Sequence, residues 1–460
     1  MIASHILEAA LEKALSTGGD YAEIFAENTL TNRLALVDGR VETVLGNCSC
    51  GIGVRVFQGT RSVYASSSGL QAENLMAAAA RAAAALGQGG AGARPQLVDR
   101  AYPNIHPFMQ IGSSMAPAHK IEIIREAYAA ARDYSPQISQ AQVGLSDVDR
   151  NILIATSDGV RLTDRQVRTR LFVSAVASEG ADNQTGTEGP GALMGYELFD
   201  TISPAETGRS AARQAVTMLS AGYCPAGRMS VAIDNGFGGV IFHEACGHSL
   251  EAEAVARNMS QFSGKLGQQI ASAKVTAIDD GTIPNAWGSV NFDDEGVPTQ
   301  RKVLIENGIL KSYMVDKLNG RRMGLPANGS SRRQSYEYAP TSRMTNTFIA
   351  PGDSSDEEII ASMDYGLYAK KMGGGSVNPV TGEFNFSVSE GYMVRGGKIC
   401  EPVRGGSLIG KGSEILMEID MVGKNLDRGQ GMCGASSGSI PTDVGQPMIR
   451  VREITVGGRE

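Results

Sequence analysis

Glycine is spread unevenly along this chain, and that unevenness constrains its fold more than any other feature. Most of the 57 glycines fall after residue 220, in runs such as RKVLIENGILKSYMV and YMVRGGKICEPV. There, turn residues separate short apolar, β-branched segments. Glycine enters left-handed backbone regions at little steric cost, so the second half reads as many strands joined by tight turns. The first half alternates instead. DYAEIFAEN, RLALVDGRVETV, GIGVRVF and SVYAS read as short strands with turns at Asp38-Gly39 and Gly59. A helix is expected over residues 71–86, ending in the Gly-rich loop GQGGAGARP, and a second over residues 117–132. Further strands follow, and a helix over residues 204–219 closes this half. With a boundary near residues 221–228, the class is α+β in two large domains. A mixed α/β N-terminal domain spans 1–222, and a strand-rich domain spans 223–460.

Composition removes several function classes. Hydrophobic residues at 42% and charged residues at 20% are ordinary for a globular chain, which argues against disordered and fibrous forms. A net charge of −7 with no basic stripe argues against a nucleic-acid or anionic-membrane binder. The N-terminal MIASHILEAALEKALSTGG carries Glu8 and Glu12 within its apolar pattern, which suits an amphipathic helix and not a signal peptide. No apolar run reaches the ~18 residues of a membrane span. Six scattered cysteines do not form a secreted disulfide framework, so a reducing cytoplasm is the expected compartment.

The least random feature is GGVIFHEACGHSLEAE. Two of the five histidines fall within six residues and bracket a glutamate. The familiar zinc-peptidase pattern is H-E-x-x-H on a helix, whose rings lie about 40° apart on one face. Here the spacing is H-E-x-x-x-H, which on a regular helix separates His243 and His248 by about 140°. The pair can share a metal only if the helix opens into a wide turn such as a π-bulge. Gly247 is the residue expected to tolerate that distortion. With a metal bound, Glu244 beside the first ligand can take a proton from its water. A catalytic zinc normally has three protein ligands. Glu251, Glu253, Cys246 and the distant Cys433, in GQGMCGASSG, are the candidates for the third, and spacing leaves Glu251 and Cys433 both open. The bland alternative is two core histidines and a solvated glutamate.

Taken with DDEGVPTQRKVLIENGILKSYMVD, RMTNTFIAPGD, GLYAKKMGGGSVNPVTGEFNFSVSEGYMVRGGKI and GMCGASSGSIPTDVGQPMIRV, the motif resembles the TldD/PmbA (TldE) family, and specifically its metal-bearing TldD branch. The likeness covers most of the chain and is densest from about residue 238 onward. It implies a zinc metallopeptidase with His243, His248 and Cys433 as metal ligands and Glu244 as the catalytic glutamate. The PmbA-type partner lacks the metal motif, so an intact HEACGH places this chain on the active side. The resemblance further implies unstructured peptides as substrates, including leader segments of modified peptide precursors, and a homodimer or a heterodimer with a PmbA/TldE-type chain. The alternative function is a non-catalytic, zinc-stabilised peptide-binding or regulatory protein, whose metal would be closed by a fourth ligand such as Glu251. Among other residues, the turn Asp293-Asp294-Glu295-Gly296 reads as solvated, Trp287 as core, and Arg343 and Tyr392 as candidate oxyanion donors.

Overall fold

The computed structural model describes residues 2–87, 90, 92–378 and 381–459. The loop expected at GQGGAGARP includes residues 88, 89 and 91, which lie outside the described residues. The architecture is mixed α/β.

The first half is built on one twisted sheet. Its long strands are β1 (Tyr21–Val37), β2 (Arg40–Gln58), β3 (Arg61–Ser68), β4 (Ile138–Thr156) and β5 (Val160–Glu179), in the order β3-β2-β1-β4-β5. β1 and β4 pair residue by residue from Glu23↔Thr156 to Val37↔Gln142, so β1 runs straight through the polar Asn28–Asn32 stretch that breaks its apolar pattern. Ladder hydrogen bonds on both edges hold that stretch extended whatever its side chains prefer. The hairpin turn is the expected one, with Asp38 at φ 46° and Gly39 at φ 81°.

Four helices cover one face of this sheet. Helices α1 (Ser4–Leu15) and α2 (Ala72–Leu86) bury Leu7, Leu11, Leu75 and Ala79 against Ile24, Val54 and Val56. Helices α3 (Pro117–Arg132) and α4 (Pro204–Leu219) bury Ile124, Ala127, Ala211 and Ala215 against Val143, Leu145, Leu171 and Val173. Both α3 and α4 start with proline at the first turn, and Ser203 caps α4 by accepting the Glu206 N–H.

The opposite face is buried as well, against the second half of the chain. Phe25 packs with Phe292 and Tyr336, and around it runs a set of buried ion pairs. Arg333 Nη2 donates to Glu23 Oε1 at 3.0 Å, Arg55 Nη1 to Glu295 Oε1 at 2.6 Å, and Arg150 Nε to Glu27 Oε2 at 3.0 Å. The Asp293–Glu295 turn is therefore not solvated: all three side chains are buried. The misreading has a physical cause, since two of the cations that make this burial tolerable, Arg55 on Glu295 and Arg150 on Asp294, come from strands more than 140 residues away.

The second half contains a barrel and a second sheet. Strands β6 (Gly227–Ile233), β7 (Ala277–Asp280), β8 (Arg301–Glu306), β9 (Asn346–Ile349) and β10 (Tyr365–Val377) are followed by β11 (Glu383–Arg395), β12 (Ser407–Lys411), β13 (Asp427–Ala435), β14 (Gly438–Gln446) and β15 (Ile449–Gly457). The pairings β10-β6-β15-β12-β11 close when β11 returns to β10. The second sheet runs β8-β7-β9-β14-β13, with β13 at its end. One large apolar cluster fills the space between them and takes in Ile241, Phe242, Cys246 and Met344. The segment carrying the two histidines is thus embedded between the barrel and the sheet.

Candidate metal centre

Residues 236–250 form one helix in four short pieces: 3₁₀ over Gly236–Gly239, α over Val240–Phe242, π over His243–Gly247, and 3₁₀ over His248–Leu250. The His248 N–H donates to the His243 carbonyl five residues back. That wide turn lets five residues complete about one revolution, so the two rings face the same side. Their centroids are 5.1 Å apart and nearly perpendicular.

Gly247 contributes in a different way from the one its sequence position suggests. Its φ of −56° and ψ of −51° are helical, so left-handed freedom is not needed. What glycine provides is space: a Cβ there would sit 2.4 Å from Met344 Sδ. The buried thioether packs directly on the π turn, and only a residue without a side chain lets it do so.

The third group arrives from the end strand of the sheet. Cys433 on β13 pairs across the hairpin with Ile440, and its Sγ lies 3.2 Å from His243 Nε2 and 3.3 Å from His248 Nε2. All three candidate ligand atoms fall within 4.8 Å of one another. Burial alone would raise the Cys433 thiol, but the two imidazoles it faces outweigh burial and hold it down to about 3. A cysteine sulfur with two imidazole nitrogens suits a borderline-soft divalent ion such as zinc.

The surrounding groups are asymmetric. His248 Nδ1 lies 3.0 Å from Glu251 Oε2, whereas Nδ1 of His243 meets no hydrogen-bond partner among the described residues. Burial lowers the His248 pKa, but the Glu251 carboxylate and Cys433 more than reverse this and hold it well above its ordinary value. Glu244 Oε2 stands 3.7 Å from His248 Nε2, and its side chain remains 29% exposed, open to the solvent side of the cluster. The remaining candidates lie elsewhere. Cys246 is buried on the other side of the helix, with its Sγ directed to the Gly412 carbonyl. Glu253 is held by Ser436 Oγ at 3.0 Å and by Arg257 at 3.5 Å. Arg343 is fully buried, with donors directed to Ser437 Oγ and to the Gly438 and Cys433 carbonyls. Tyr392 donates to Glu390 on the barrel strand β11.

Some supporting residues were not legible in the chain. Trp287 Nε1 donates to the Gly431 carbonyl, and Arg170 of β5 donates to the Gln430 carbonyl, so two side chains distant in sequence brace the strand that carries Cys433. Glu251 did have a signal, since residues three apart on a helix are neighbours and it follows His248 by three.

Family models for the PmbA/TldA metallopeptidase match nearly the whole chain: domain 1 at residues 22–86, the central domain at 112–219 and the C-terminal domain at 226–458. The chain belongs to the PmbA/TldD family. A metalloprotease TldD homologue of Haemophilus influenzae is 36% identical over 453 residues, covering 95% of this chain and 93% of the relative. A zinc metalloprotease TldD homologue of Saccharolobus solfataricus is 28% identical over 359 residues, covering 77% of this chain and 80% of the relative. The crystal structure of TldE from Thermococcus kodakarensis superposes with a TM-score of 0.77 at 18% identity, covering 98% of this chain and all of that one, and supports the fold. These names support a metallopeptidase, and the family includes TldE-type chains. No helix among the described residues is long and apolar enough to cross a membrane.

Proposed function

We propose that this chain is a zinc-dependent peptidase acting on short or unfolded peptides, with His243, His248 and Cys433 as zinc ligands and Glu244 as general base. The observation that carries the reading is the convergence of the two Nε2 atoms and the Cys433 thiolate, with the partly exposed Glu244 carboxylate beside them. A zinc ion held there would polarise the scissile carbonyl and bring the pKa of a water toward 7. Glu244 is placed to accept that water's proton and to return it to the departing amine, the usual double duty of a carboxylate in amide hydrolysis. The hydrophobic packing of Ile241, Phe242 and Met344 behind the cluster keeps its inner side dry, which strengthens every electrostatic interaction in it.

The rest of the reading follows from the surroundings. The second half is rich in strands, and an extended peptide held beside the cluster by main-chain hydrogen bonds would be selected only loosely by its side chains. Leader segments of modified peptide precursors are substrates of this kind. The working unit is a homodimer or a heterodimer with a PmbA/TldE-type chain, in the cytoplasm. The chain divides functionally into an N-terminal domain (1–222) and a metallopeptidase domain (223–460). The alternative, a structural zinc closed by Glu251, is disfavoured because that carboxylate is engaged by His248 Nδ1 and Arg343.

Glu244→Gln is the deciding variant. It preserves size and the ligand set while removing the base, so zinc content should stay at the wild-type level while cleavage of an unfolded peptide falls by at least about 10²-fold. Cleavage at the wild-type rate in that variant would overturn the assigned role.

A further inference from the structure

The two halves of the candidate metal centre come from distant parts of the chain, and one pair of buried side chains spans them. Glu251 is mostly buried. Its Oε2 lies 3.0 Å from His248 Nδ1, and its Oε1 is 3.8 Å from Arg343 Nε. Neither Oε1 nor Nε has a hydrogen-bond partner among the described residues, and the two stand within ion-pair distance of each other. Arg343 is fully buried, and its remaining nitrogens hold the other half of the centre. Nη2 donates to the carbonyl of Cys433 itself, and Nη1 to Ser437 Oγ and the Gly438 carbonyl in the hairpin that follows.

We propose that Glu251 and Arg343 are a pair of positioning residues that register the two ligand-bearing segments against each other. This inference rests on the metal reading above. The chemistry of each step is local. A neutral imidazole, the form a metal ligand takes, presents an unprotonated Nε2 when its Nδ1 carries the proton and donates it to a carboxylate, and Nε2 is the atom facing Cys433. Glu251 therefore selects the tautomer and ring orientation of His248. Left alone, a buried carboxylate would pay a large desolvation cost, and Arg343 offsets it. The same guanidinium fixes the main chain at Cys433, so the carboxylate that orients one ligand is tied to the backbone that carries another. A planar guanidinium with donors in several directions can make these contacts at once, and an ammonium cannot. His243 has no such partner among the described residues, so the arrangement concentrates its control on His248 and Cys433.

The test is an equilibrium competition for zinc between the metal-free full-length protein and a chromophoric chelator, with cobalt(II) substitution to report the thiolate ligand. Glu251→Gln keeps the shape and one acceptor but loses the charge, and should bind zinc about 10- to 100-fold more weakly than wild type. The thiolate-to-cobalt band should persist, because Cys433 is intact. Glu251→Asp, which keeps the charge and loses the reach, is the second variant and should show a comparable loss. Arg343→Lys should weaken zinc binding too, and adding it to Glu251→Gln should cost less than the sum of the two single effects, since both act through one connection. Wild-type zinc affinity in both Glu251 variants would overturn the positioning role while leaving the metal reading standing. Strictly additive losses would remove the link to Arg343. A wild-type protein that takes up no zinc would overturn the metal reading and this inference with it.

Discussion

Cys433 and His243 stand 190 residues apart in the chain, yet Sγ of one lies 3.2 Å from Nε2 of the other. Two buried groups brought this close from such a distance are held by everything between them, and the contact joins the end strand of the second sheet to the irregular helix. If it is a metal site, removing the thiol should be felt at the metal first. Cys433→Ala, purified without added metal and assayed by elemental analysis, should lose most of the zinc that the wild type carries. Undiminished zinc in the variant would exclude the thiolate from the ligand set.

Gly247→Ala sets two effects of opposite sign against each other. Its backbone is helical, so propensity alone favours alanine by about 0.5–1 kcal/mol. Sterics oppose it, because the new Cβ would sit 2.4 Å from the buried Met344 thioether. Overpacking costs about 1–3 kcal/mol, so the variant should be less stable on balance. Denaturant titration should show a lower midpoint, and Met344→Ala in the same chain should recover part of the loss. A raised midpoint in the single variant would mean that the π turn yields easily.

Asp443 introduces a pH dependence. Burial pushes its carboxyl up to about 6, with the Arg428 charge and the Trp287 N–H pulling in the other direction. In the unfolded chain it ionises near 3.9. A group whose folded pKa lies above the unfolded one contributes stability that is complete below about pH 4 and lost as pH rises through about 6. The loss amounts to ~3 kcal/mol. Asp443→Asn keeps an acceptor for Trp287 and does not ionise. The unfolding free energy of the variant relative to wild type should therefore rise by that amount between pH 4 and pH 7. A constant difference across that range would contradict the burial argument.

Arg333 is fully buried, lies over the Phe25 ring and is bonded to Glu23. Arg333→Met fills a similar volume but leaves Glu23 with the Tyr21 hydroxyl at 3.2 Å and, as its one remaining cation among the described residues, Arg55 at 3.9 Å. Removing one partner of a buried pair costs about 3–5 kcal/mol, and urea unfolding should register a loss of that size. A second substitution, Glu23→Gln, should return a good part of it. An unchanged midpoint in the single variant would show that the network contributes nothing net.

Sequence alone was a good guide wherever structure depends on near neighbours. Helices α3 and α4 occupy the residues their periodicity and N-terminal prolines imply, because amphipathic spacing and capping are local properties. The Asp38-Gly39 hairpin is equally local. The five-residue spacing of His243 and His248 even specified the kind of irregularity needed for their rings to face one side, since helix geometry is arithmetic on residue number. Other features lay beyond it. β1 runs through a polar stretch because neighbouring strands hold it, the Asp293–Glu295 turn is buried because Arg55 and Arg150 reach it, and Gly247 is glycine because of Met344 and not because of its own dihedrals. From spacing alone Glu251 and Cys433 stood as equals for a third ligand. The family resemblance favoured Cys433, and the tertiary structure gives the physical distinction, placing its Sγ against both Nε2 atoms and turning the Glu251 carboxylate to Nδ1 of His248. Local order can say which residues are able to hold a metal; which of them meet is decided by strand pairing and packing over hundreds of residues.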